Sequence, residues 1–184
     1  MDYLENIPGK YTVDPSHSTI GFWARHAMVT KVRGNFANFE AFGEIAEAND
    51  KSKVRVTIKT NSITTGNNDR DNHLKSPDFF NVEKNPEITF YSEDITIQDD
   101  RVLLNGALNL NGASKNLNLI LDLSGTSKDP FGITRVGLEG TFIIKRSDFG
   151  LTWNAALETG GVLVSDEIHV NLELSVIKNY IMYL

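Results

Sequence analysis

The stretch "EIHVNLELSV", Glu167 to Val176, decides the fold. In an extended chain Ile168, Val170, Leu172, Leu174 and Val176 fall on one side, and His169, Asn171, Glu173 and Ser175 on the other. A period of two is the signature of a strand with one face buried and one face wet. The same alternation runs through "VRVTIK" (Val54, Val56 and Ile58 together) and "NLNLILDLS" (Leu117, Leu119, Leu121 and Leu123). It recurs in "RVGLEGTFIIK", where Val136, Leu138, Gly140, Phe142 and Ile144 share a side. "EITFYSEDITI" and "RVLLNGALNLNG" complete the set. With the strands near the N-terminus, the spacing predicts an all-β protein of about eight antiparallel strands. A sheet of that size has to close into a barrel or fold into a sandwich to cover its apolar side.

Between the strands lie polar turns: "EANDKSK" (Glu47 to Lys53), "QDDR" (Gln98 to Arg101) and "SKDPFG" (Ser127 to Gly132). One segment breaks the pattern, Thr64 to Glu87. Its "DRDNHLKS" predicts a short helix with Asp69 as N-cap, stopped by Pro77. The adjacent Phe79 and Phe80 need burial, which makes this segment a plug or lid under the sheet end. "TGG" at Thr159 to Gly161 marks a second loosely patterned stretch, read as a candidate mobile loop. With no linker, repeat array or low-complexity block, residues 1–184 read as one domain, with 1–9 as a lead-in and 178–184 as a C-terminal extension.

Bulk properties exclude several functions. The 184 residues carry a net charge of −6 and no basic cluster beyond Lys145 and Arg146, which argues against a nucleic-acid partner. The absence of cysteine removes disulfides, thiolate nucleophiles and Cys-ligated zinc. No apolar run approaches the ~20 residues that span a membrane, so stable membrane insertion is not expected. The first residues, "MDYLENIPGKYTVDPSHS", lack the basic and apolar regions of a secretory signal, giving a cytoplasmic expectation, or a periplasmic one if a leader has been removed.

Catalytic and metal constellations are weak. There is no G-x-S-x-G elbow, phosphate loop or dinucleotide fingerprint. His17, in "DPSHS", sits among Asp14, Ser16 and Ser18, where local turn hydrogen bonds account for it better than a Ser–His dyad. His17, His26 and His73 with Asp69 and Asp71 are the conceivable metal ligands, but their scattered spacing makes no motif, and no metal site is assigned. Glu139 and Glu173 lie on polar strand faces and read as solvated surface rather than an acid/base pair. What remains is binding. Phe22, Phe36, Phe90 and Phe142 match the parity of the apolar face, as do Ile20 and Leu108, and Phe79 and Phe80 lie in the plug. Periodicity alone leaves two interiors open: one filled by these side chains, or one hollow enough for an apolar ligand.

Four ordered segments resemble the YceI-like family. "YTVDPSHSTIGFWARHAMVTKVRGNF" is similar to its opening D-x-x-H-S, apolar strand, histidine and R-G-x-F. "DNHLKSPDFFNVEKNPEITF" is similar to its P-x-I-T-F signature, "NGALNLNGASKNLNL" to its G-x-L-x-x-x-G-x-S/T-K segment, and "IKRSDFGLTWN" to its R-S-D-F-G element. The resemblance runs from about residue 11 to residue 176. It implies a lipocalin-like β-barrel with a helical segment at its mouth. It also implies a tunnel for a polyisoprenoid of quinone or diphosphate type, or a similar long-chain lipid, with a homodimer as a frequent assembly and no cofactor beyond the lipid. The expected tunnel wall is then Ile20, Phe22, Phe36, Phe79, Phe80, Phe90, Leu108 and Phe142. Gly106 and Gly140 read as places where room is left in it, and a lipid head group would meet His26, Arg33, His73 and Arg25. Parity sets Arg25 and Arg33 with Trp23 on the outer face, where a surface arginine needs no function. A carrier or storage protein is the first expectation; a metal-assisted enzyme on an apolar substrate and a stress-related interaction module are the alternatives.

Overall fold

The computed structural model describes residues 8–47 and 52–179. Most of the 1–9 lead-in, the tip of the Glu47 to Lys53 turn and residues 180–184 lie outside them. Among the described residues are eleven strand segments: β1 (Gly9–Val13), β2 (Thr19–His26), β3 (Thr30–Phe36), β4 (Phe39–Ile45), β5 (Lys53–Lys59), β6 (Ile63–Thr64), β7 (Glu87–Gln98), β8 (Arg101–Leu110), β9 (Ala113–Lys128), β10 (Thr134–Lys145) and β11 (Glu167–Asn179). One helix, α1 (Asn68–Lys75), follows β6.

The eleven segments reduce to eight staves, because three pairs of them are single strands broken by a bend. β1 and β2 lie end to end along β11, against residues 176–179 and 169–173. The turn at Pro15–His17 separates them. β3 and β4 are parted only by Ala37 and Asn38, and the turn at Thr60–Ser62 parts β5 from β6. The neighbours match at every level: β2 pairs with β3 and β3 with β6, while β1 pairs with β4 and β4 with β5. All pairings are antiparallel, and the last stave, β11, returns to the first, closing an eight-stranded up-and-down barrel. Closure removes the open edges that a free sheet would expose.

The bends are hydrogen-bonded to one another. Ala37 N donates to Ser62 O and Lys59 N to Asn38 O, so the breaks in two neighbouring staves sit side by side. In the first stave Asp14 caps the turn. Its carboxylate accepts from Ser16 N at 3.0 Å and Ser16 Oγ at 2.6 Å, sits 2.8 Å from His17 Nδ1, and accepts from Arg135 Nη1 at 2.5 Å. Donors from Ser16, Arg135 and His17 hold the Asp14 carboxyl well below the usual carboxylate range. His17 is thus a turn residue, tied to its own loop and, through Asp14, to β10.

Two bulges correct the side-chain parity where the sequence breaks it. In β7, Ile88 and Phe90 point inward at even positions, whereas Ile95 and Ile97 do so at odd ones. The extra residue is Glu93, where Ser92 opposes Gly106 and Asp94 opposes Asn105. Fully buried Ser92 turns its hydroxyl onto the carbonyls of Asp94 and Asn105, at 3.0 and 2.8 Å. In β9 the extra residue is Ser124, opposite the Gly137/Leu138 step. A bulge increases local twist, which a closing sheet needs.

Glycines 106 and 140 do not leave room in the wall. The place a Cβ would take on Gly106 is 2.4 Å from Tyr91 O and 2.6 Å from the Phe90 ring, and on Gly140 it is 2.5 Å from Leu121 Cδ2. Their neighbours already fill the space, so these glycines permit close packing rather than an opening. Gly106→Ala is therefore expected to lower stability by about 1–3 kcal/mol, read as a lower urea midpoint at unchanged slope, because backbone and a packed ring have to move.

Helix α1 begins two residues earlier than expected, capped by Asn67, whose side chain accepts from Arg70 N at 2.9 Å. Asp69 lies in its first turn instead. Ser76 ends the helix just before Pro77, as the sequence predicts. A knot of polar groups fixes the helix to β6. Asp71 accepts from Thr65 N at 2.8 Å and Thr65 Oγ1 at 2.5 Å, and Arg70 donates to Thr65 Oγ1 and Thr65 O at 2.7 and 3.0 Å. Burial alone would raise the Asp71 pKa, but the Thr65 hydrogen bonds outweigh it and hold the carboxyl low. Beyond the helix, Phe79 is buried and Phe80 meets Phe36 edge-on at 5.9 Å. The segment is the plug its two phenylalanines predict.

Candidate functional site

The barrel interior is hollow. A cavity of about 600 Å³ occupies the half of the barrel nearer α1. The other half holds residues such as Ile95, Leu104 and Leu121, which are buried without lining the cavity. Along β11 the wall runs from Ile168 to Leu174. Six steps of extended chain make that side about 20 Å long. Ile20, Phe22, Phe36, Phe79, Phe80, Phe90, Leu108 and Phe142 all stand in the wall, joined by Leu117, Leu119, Val170 and Leu172 from the later strands. Strand alternation explains the assembly: each stave contributes its even or odd set, and the set switches at a bend or bulge, as between Phe36 and Phe39.

Polar side chains gather at one end. Arg25, His26, Thr65, Asp69, Arg70, His73 and Arg146 border the cavity beside Trp153, Leu163 and Val164. Arg25, His26 and Asp69 are solvent-exposed, so this end is where the cavity wall meets water. His26 continues the inward parity of Ile20, Phe22 and Ala24 and forms a lone bridge with Val164. His73 Nε2 lies 2.9 Å from Asp78 Oδ2, and the His73 ring stands edge-on to Trp153 at 4.6 Å and to Phe79 at 5.1 Å. The carboxylate can only accept, so Nε2 of His73 carries a hydrogen.

Two arginines proposed for a head group behave differently. Arg25 has outward parity but sits at the rim, where its Nη1 donates to Val29 O at 2.7 Å. Arg33 is exposed and does not join the cavity wall. It pairs across the sheet with Trp23, whose ring stacks outside the barrel on His169 at 3.6 Å and 7°. The alternation that sets Phe22 inside sets Trp23 and Arg33 outside.

Arg146 and Arg70 border the cavity without being among the residues expected there, and Arg146 is the more deeply buried. Only 6% exposed, it donates through Nε to Ser165 O at 3.0 Å, through Nη1 to Leu151 O at 2.6 Å and Trp153 O at 2.8 Å, and through Nη2 to Val164 O at 3.3 Å. Burial pushes the guanidinium pKa down, partly offset by the Asp166 carboxylate, yet an arginine stays charged in this setting. Its parity was the available signal, since Phe142, Ile144 and Arg146 share one side of β10 and its end. The side chain ties together the two ends of the 151–165 segment, residues of which line the cavity.

His17 precedes β2 and His26 ends it, and among the described residues no group of three His, Asp or Glu lies close enough to hold a metal ion. No helix among them is long and apolar enough to cross a membrane.

Fold and cavity first define a class: closed antiparallel β-barrels that enclose an apolar space of ligand size. The family follows. The profile of the YceI-like domain matches residues 11–176, and the chain belongs to that family. A UPF0312 protein of Staphylococcus aureus strain N315 is 37% identical over 161 residues, covering 86% of this chain and 91% of the relative. Among solved structures, the YCEI protein of Campylobacter jejuni is similar with a TM-score of 0.70 and 31% identity, over 85% of this chain and 90% of that one. A polyisoprenoid binding domain from Saccharophagus degradans, implicated in plant cell wall breakdown, shares the fold with a TM-score of 0.71 at 17% identity, over 92% and 98%.

Proposed function

We propose that the protein binds a long-chain apolar lipid, a polyisoprenoid foremost, and carries or stores it without chemical change. One observation carries this reading: an apolar wall about 20 Å long along β11, with polar groups at one end only. Such a space suits a molecule with a long hydrocarbon tail and one polar head. Burial of the tail supplies the affinity, at about 0.8 kcal/mol per methylene. His26 and His73, with Arg25 at the rim, are the donors that would meet the head. The family membership supports the reading, and the fold shared with a polyisoprenoid binding domain points to the same ligand class.

A chain-length series tests it. Saturated fatty acids of increasing length, competing with a fluorescent apolar probe, are expected to bind about fourfold more tightly for each added methylene. The gain should then level off once the tail outgrows the cavity. Affinity that ignores chain length would contradict a tail-binding cavity.

A further inference from the structure

The hairpin joining β2 to β3 projects at the cavity end of the barrel with an unusual tip. Ala27 and Met28 both adopt left-handed backbone, at φ 50° and 63°, and Val29 N closes the turn on His26 O at 3.1 Å. Turns of this hand normally carry Asn-Gly, because side chains such as methionine's are sterically disfavoured there. The strained turn here holds two apolar side chains in water: Met28 is 59% exposed and Val29 is 73% exposed. Val162, 40% exposed, stands on the neighbouring segment, which is stapled to the hairpin by Ala27 N donating to Leu163 O at 2.8 Å. Three of the eight exposed large hydrophobic residues among the described ones therefore lie at one place, on this tip and the segment bonded to it. That place adjoins the exposed cavity-lining residues Arg25 and His26.

Charge singles out the same hairpin. From Thr19 to Phe36 it carries Arg25, Lys31 and Arg33 and no acidic residue, in a chain whose net charge is −6. Lys31 Nζ lies 4.0 Å from the centre of the Trp23 ring, so an aromatic surface and a cation stand together just behind the tip. Apolar side chains leading, with cations flanking, is the arrangement that enters the interface of an anionic bilayer.

We propose that the β2–β3 tip docks the barrel on anionic lipid bilayers, so that the cavity exchanges its lipid with the membrane directly. This rests on the reading of the cavity as a lipid site, and the two can fail separately. Backbone strain kept at an exposed apolar turn is accounted for by a task that needs those side chains outside.

The test uses the full chain with vesicles of equal parts phosphatidylglycerol and phosphatidylcholine, and with vesicles of phosphatidylcholine alone. The double variant Met28→Asn, Val29→Thr keeps residues suited to the turn and strand while removing the apolar tip. Lys31→Glu reverses the flanking charge without touching the cavity wall. Flotation with the anionic vesicles, and the rate at which pyrene-labelled hexadecanoic acid moves from them into the protein, are expected to fall about tenfold in both variants. Affinity for the same probe added in solution, and the melting temperature, should stay unchanged. Added salt should weaken flotation of the wild type. Variants that float like the wild type would overturn the docking proposal. So would a wild type that ignores both kinds of vesicle, which would leave the tip as a protein contact. Absence of probe binding in solution alongside intact flotation would instead remove the lipid reading of the cavity.

Discussion

Arg146→Ala is expected to lower the free energy of unfolding by about 3–5 kcal/mol and the melting temperature by about 10 °C, and to loosen the cavity rim. The loss arises from the partners left behind rather than from a charge pair. Leu151 O and Trp153 O both receive Nη1 of this one side chain, and Val164 O and Ser165 O receive Nη2 and Nε. Val164 O keeps a second donor, Asn154 Nδ2 at 2.8 Å. A buried carbonyl stripped of its donor costs about 1–3 kcal/mol, so two or three of them account for the figure. Arg146→Lys keeps the charge but offers a single ammonium in place of a planar fork, and it should recover only part of the loss. Urea unfolding of the three proteins reads the order directly. A lysine variant as stable as the wild type would show that charge, not the four-carbonyl clamp, is what the site needs.

Phe22→Asp is expected to reduce binding of a long-chain probe by at least about 100-fold at neutral pH. The Phe22 ring lies over Gly34, where a Cβ would come within 2.5 Å of its tip, and stands 5.7 Å from Phe36. Aspartate removes that ring and aims a carboxylate into an apolar cavity, costing about 3–4 kcal/mol of stability as well. Desolvation raises the pKa of such a carboxyl, so acidification should neutralise it and restore part of the binding. Phe22→Leu keeps an apolar wall and should bind within a few-fold of the wild type. Equal binding by the aspartate variant would mean that the ligand lies elsewhere.

Most of the barrel was legible in the chain because closure depends on period-two faces, and "EIHVNLELSV" and "NLNLILDLS" display them without interruption. Harder to see was how eleven segments become eight staves. "DPSHS" announces the first bend, but nothing in "KTNSIT" separates a kinked strand from a straight one, since those bends are stabilised by carbonyls on neighbouring staves. The start of α1 slipped because Asn67, Asn68 and Asp69 are all capable caps, and only the docking of Asp71 on Thr65 selects among them. Glycine in a strand reads as empty space until its neighbours are known. At Gly106 the neighbour is the Phe90 ring, which turns a gap into a contact.

At the candidate site, parity placed the six strand residues in one wall and sent Arg33 outside with Trp23, while Phe79 and Phe80 came from the plug. It could not reveal that the wall encloses a hollow, because volume depends on how far facing staves stand apart. Arg146 escaped notice for a related reason. A buried cation looks implausible in sequence until four backbone carbonyls, from residues 151 to 165, converge on it.

Native mass spectrometry of the protein purified from cells without detergent tests the central claim most directly. The account predicts a bound species that dissociates on activation and proves to be a lipid with one long hydrocarbon chain, present in the wild type and absent from Phe22→Asp. A wild-type protein that carries no such lipid, and that takes none up when a polyisoprenoid is offered, would contradict it.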